Sequence, residues 1–99
     1  MEMVNFMQII SSASLEKLQS KNEEFAIIFI TLDCKYCNGM IELAESLTDK
    51  LIFIVEIDQC LAEKYSISKV PVWMVFHGDL IFERIEGLEQ ERLKLSKYF

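Results

Sequence analysis

Apolar residues follow two rhythms along this chain. Short unbroken runs alternate with stretches in which apolar positions return every three or four residues. FAIIFI (25–30) and LIFIVEI (51–57) are β-branched and aromatic without polar alternation. That pattern suits strands covered on both faces, hence parallel ones. Between them Cys37, Met40, Ile41, Ala44 and Leu47 hold one helical face, with Asn38, Glu42, Glu45 and Asp49 outward. Met3–Ile10 carries a weak strand signal. Ser11–Ser20 reads as a short helix, with Ala13, Leu15 and Leu18 on one side and Ser12 or Ser14 to cap it.

After Asp58 the spacing predicts a helical piece over Leu61–Tyr65. VPVWMVF (70–76) and LIFERIE (80–86) then flank His77-Gly78-Asp79, the signature of a β-hairpin. A final helix is predicted over residues 88–99. Strand–helix–strand crossovers make parallel neighbours and a hairpin makes antiparallel ones. The predicted class is therefore α/β, a mixed central sheet flanked by helices on both faces.

Composition narrows the functions without deciding them. The chain has 99 residues, 52% of them hydrophobic and 26% charged, and no repeat, linker or low-complexity stretch. One domain over residues 1–99 is expected. Net charge is -6, with no cluster of Lys or Arg, which argues against a nucleic-acid partner. MEMVNFMQII has a Glu where a secretory signal needs positive charge, and the apolar run 25–32 is too short to cross a bilayer. A cytoplasmic monomer without a membrane partner is the expectation. Three cysteines in such a chain point to metal or redox use rather than a disulfide framework.

The thiols Cys34 and Cys37 in TLDCKYCNGM (31–40) sit at the seam between a strand and a helix. Cys34 falls at or beside the helix N-cap, where unpaired N–H groups and the dipole favour an anion such as a thiolate. Lys35 adds to that preference and Asp33 opposes it. Cys37 lies a turn further on and points at the core by its periodicity. An outer and a sheltered thiol suit disulfide exchange, but half of a metal clamp or two small core residues fit the spacing as well. For a zinc site only Cys60 and His77 remain, singly and far from pair spacing, and His77 reads as a surface turn residue. Trp73 reads as core.

Joined to other features, the pair resembles the thioredoxin family. EID (56–58) ends the next strand, KVP (69–71) opens a third, and Gly78 and Gly87 mark the hairpin turn and the start of the last helix. The resemblance covers nearly the whole chain. It implies a thioredoxin fold and a thiol–disulfide oxidoreductase needing no cofactor, with Cys34 as nucleophile and Cys37 as resolving thiol. It also implies a cis-proline at Pro71, and at Val70 a backbone that pairs with an extended substrate. Substrates would be protein disulfides or small thiol compounds, with electrons from a reductase or glutathione.

Departures from the family surround the pair. Asp33 stands where thioredoxins have Trp, Lys35-Tyr36 replaces Gly-Pro, Ile28 replaces a buried acid, and Glu42 replaces a helix-kinking proline. They motivate a second reading, a redox-inactive module that docks protein segments through Val70. A metal or iron–sulfur protein is a third. Cys60, near the site on the same sheet edge, is either a small buried residue at a helix start or a secondary thiol that modulates the pair.

Overall fold

The run that begins at Phe25 forms the middle of the sheet. A computed structural model describes residues 7–10, 12–21, 24–47, 52–87 and 95; Met3–Phe6 and, Leu95 excepted, the predicted closing helix fall outside them. The elements are β1 (Met7–Ile10), α1 (Ser12–Ser20), β2 (Glu24–Ile30) and α2 (Lys35–Leu47), followed by β3 (Ile52–Glu56), α3 (Gln59–Lys64), β4 (Val72–His77) and β5 (Leu80–Glu86). The strand order is β1-β3-β2-β4-β5. β3 runs parallel to both β1 and β2, whereas β4 is antiparallel to β2 and β5. The predicted mixed sheet is the one observed.

From Phe25 to Ile30 neither face of β2 meets water. Ala26, Ile28 and Ile30 pack with Cys37, Met40 and Ala44 of α2 and with Trp73 and Val75 of β4. Phe25, Ile27 and Phe29 pack the other way, with Leu15 of α1, Leu61 of α3, Tyr65 and Phe76. Two-sided burial explains why this segment lacks polar alternation. An aromatic cluster stiffens the second face: Phe25 stacks on Phe76 at 5.3 Å, and Tyr65 meets Phe76 edge-on at 5.8 Å.

Several element limits differ from the sequence expectation, and three of them have a clear local reason. α3 starts at Gln59 rather than Leu61, because the Asp58 carboxylate accepts the Leu61 N–H at 2.8 Å and caps the helix two residues earlier. β4 starts at Val72, so Val70 and Pro71 stay in the preceding loop; proline has no N–H to give a ladder. His77 is not a turn residue: it pairs with Leu80, which leaves Gly78-Asp79 as the turn, with Gly78 at φ +63.

The core makes a quantitative claim. Phe76 is fully buried, so Phe76→Ala should lower unfolding free energy by about 3–5 kcal/mol. Asp58→Ala, which removes only a cap, should cost about 1 kcal/mol. Urea denaturation followed by far-UV circular dichroism compares the two; similar losses would contradict the packing described.

Candidate active site

β2 leaves the sheet at Ile30, and the chain turns through Thr31–Asp33 into α2. The Cys34 N–H donates to the Thr31 carbonyl at 3.3 Å, which closes the turn. Cys34 is thus the residue immediately before the helix, and its sulfur behaves as a cap. The Cys37 N–H donates to Cys34 Sγ at 3.2 Å, the geometry a serine or aspartate would use there.

The loop before β4 closes the other side. The Val70–Pro71 peptide is cis, the geometry that the resemblance implied. The Cys34 thiol donates to the Val70 carbonyl at 3.8 Å. Gly87, at φ +80, donates its N–H to the Pro71 carbonyl at 2.8 Å and fixes the far end of that loop. Cys34, Cys37 and Val70 therefore converge, although 36 residues separate the first from the last.

The two thiols differ sharply in setting. Cys34 is half-buried, whereas Cys37 is 1% exposed beneath it. Burial pushes the Cys37 thiol from an ordinary 9.0 up to about 12. The hydrogen bond with Cys34 and negative charge at Cys34 and Asp33 push the same way, while the backbone of Thr31 opposes them. Ile28, in the same cluster, adds no charge.

Around the pair, Asp33, Lys35 and Tyr36 are all exposed, with Lys35 Nζ 5.6 Å from the Tyr36 ring centre. A hollow of about 180 Å³ lies beside Val70, lined by Thr31, Ile57, Ala62, Ile67 and Ser68–Val70. Cys60 is exposed in the first turn of α3, which overturns its reading as a buried residue. It stands on the edge that carries Cys34, because parallel β2 and β3 end together and the Ile57 N–H reaches the Ile30 carbonyl at 2.8 Å. His77 is half-buried at the end of β4, its ring 5.6 Å from that of Phe82. Among the described residues no group of three or more His, Cys, Asp or Glu is arranged to hold a metal ion, and no helix is long and apolar enough to cross a membrane.

Two features of the surroundings are absent from the sequence reading. Thr31 acts through its carbonyl, which no side-chain pattern reveals. Trp73, fully buried, donates its indole N–H to the Glu83 carboxylate at 3.1 Å. The signal there was the tryptophan itself, since a buried indole N–H needs an acceptor.

No protein-family model matches the sequence, and no curated protein matches it. Solved structures do match. A thioredoxin of Malassezia sympodialis superposes with a TM-score of 0.76 at 17% identity, covering 90% of this chain and 85% of its own. That of Fasciola hepatica gives 0.72 at 23% identity, covering 90% of this chain and 94% of its own. That of Plasmodium falciparum gives 0.73 at 22%, covering 89% and 93%. The fold is thioredoxin-like. At these identities the likeness is one of fold, and the chemistry rests on the thiols themselves.

A thioredoxin-like scaffold that buries one thiol of the pair should label unevenly. At about pH 8, iodoacetamide should modify the accessible Cys34 and Cys60 in the folded chain and spare Cys37, which is buried and keeps the proton that alkylation needs removed. Below about pH 12 labelling of Cys37 should rise about tenfold per pH unit. Peptide mass mapping reads each site, and equal labelling of Cys34 and Cys37 near neutrality would refute the buried-thiol assignment.

Proposed function

We propose that this protein is a thiol–disulfide oxidoreductase working through Cys34 and Cys37. The observation that carries the reading is the convergence of a reachable sulfur, a helix N-terminal N–H and the Val70 carbonyl at one point. Cys34, as thiolate, attacks one sulfur of a substrate disulfide and displaces the other as a thiolate. Cys37 then gives its proton to solvent or to the displaced thiolate and attacks Cys34 Sγ. The second substrate sulfur leaves, and a Cys34–Cys37 disulfide remains. Two electrons have moved from the dithiol to the substrate; a reductase dithiol or glutathione returns them. No prosthetic group enters these steps.

Three of the departures from the thioredoxin pattern, at Asp33, Lys35 and Ile28, have a place in this scheme. Lys35 and Asp33 bear on Cys34 with opposite signs, and their balance tunes the potential. Ile28 leaves Cys37 without a charged neighbour below it, so the second step relies on the proximity of the mixed disulfide for its rate. Val70 offers its backbone to an extended polypeptide, and the hollow beside it accepts an apolar side chain of that polypeptide. Cys60 is a secondary thiol, dispensable for turnover.

Reduction of insulin by the dithiol, monitored as precipitation of its free B chain, tests the reading. Wild type should turn over, Cys34→Ser should be inactive, and Cys37→Ser should accumulate a mixed disulfide visible as added mass. Cys60→Ser should stay within about threefold of wild type. An inactive wild type that binds the same partner as Cys34→Ser/Cys37→Ser would instead make the chain a docking module.

A further inference from the structure

We propose that Arg84 is a positioning residue for polypeptide substrates: it holds in place the loop that brings Val70 to Cys34. The inference rests on the disulfide chemistry proposed above and adds to it a residue on the far strand of the sheet.

Arg84 lies on β5 opposite Met74, on the face that carries α3. Its guanidinium spans three acceptors. Nη1 donates to the Tyr65 carbonyl, Nη2 to the Ser66 carbonyl at 2.9 Å, and Nε to the Glu86 carboxylate at 2.7 Å. Tyr65 is the C-cap of α3, where carbonyls lack partners within the helix. Ser66 follows at φ +55, a left-handed conformation that a serine seldom adopts unless neighbours impose it. The planar fork meets both carbonyls at once, which a lysine could not do.

From Ser66 the loop runs through Ile67, whose N–H returns to the Ala62 carbonyl at 2.8 Å, to Val70 and Pro71. There the Gly87 N–H takes hold of the Pro71 carbonyl. Arg84 and Gly87, at the end of one strand and just beyond it, thus grip the loop at its start and at its finish. Everything between the grips lines the hollow or faces Cys34. A substrate that pairs with the Val70 backbone needs this segment held; a small disulfide that only meets the sulfur does not.

The test compares insulin with dithiodipyridine as substrates of wild type, Arg84→Gln and Arg84→Lys. Arg84→Gln should raise KM for insulin about tenfold, since hydrogen bonds from a charged donor are lost, with kcat little changed. Its rate with dithiodipyridine should stay within about twofold of wild type. Arg84→Lys should fall between. An unchanged KM for insulin, or equal losses on both substrates, overturns the inference. Should wild type reduce neither substrate, the disulfide reading fails and substrate positioning with it. Amide exchange then still judges the grip: Ile67 should exchange faster in Arg84→Gln while Ile27 does not, and equal exchange means that Arg84 holds nothing.

Discussion

β2 is buried on both faces from Phe25 to Ile30, and its backbone can satisfy its polar groups only through its two neighbouring strands. Where those neighbours end, the chain has to turn, and the first groups to reach water are those of the turn and of the helix that follows. Cys34 occupies that point. The same constraint places Ile57 and α3 at the edge where β3 stops, and it brings the Val70–Pro71 loop over the same edge before β4 descends antiparallel to β2. The site is where the central strand surfaces, and its members come from three separate segments because three strands meet the edge there.

Burial also sets the two thiols apart. One turn of helix separates Cys34 from Cys37, yet that turn runs from a half-open position to one with 1% exposure. A thiolate loses hydration when it enters an apolar cluster, so the inner sulfur keeps its proton while the outer one meets reagents. Hydrogen bonding adds direction. The inner residue's N–H points at the outer sulfur, and the outer thiol points at the Val70 carbonyl.

Much of this arrangement is legible in the sequence because it arises from local patterns. Unbroken apolar runs reveal strands with two covered faces, and the return of Met40, Ile41 and Ala44 after Cys37 reveals which way the second thiol points. Gly78 marks the hairpin turn, though not that His77 belongs to the strand, since one residue of register depends on pairing with Leu80. Long-range hydrogen bonds are illegible. The hold of Arg84 on Tyr65 and Ser66, the grip of Gly87 on Pro71 and the capture of the Trp73 indole by Glu83 join residues that only the sheet brings together. Of the two readings of Cys60 only the buried one fails: thiols are often buried, but this one is exposed in the first turn of α3, on the edge the sequence assigns it.

The seclusion of Trp73 has a practical side. It is the one tryptophan of the chain, fully buried and packed in the cluster that contains Cys37. Its fluorescence therefore reports the core cluster that includes Cys37, free of contributions from any surface indole. A change of the bonding of Cys37 within that cluster is one to which the indole is exposed, and unfolding would shift its light to the red as it met water. One native chromophore thus follows both the packing around the inner thiol and the integrity of the fold, with no label attached.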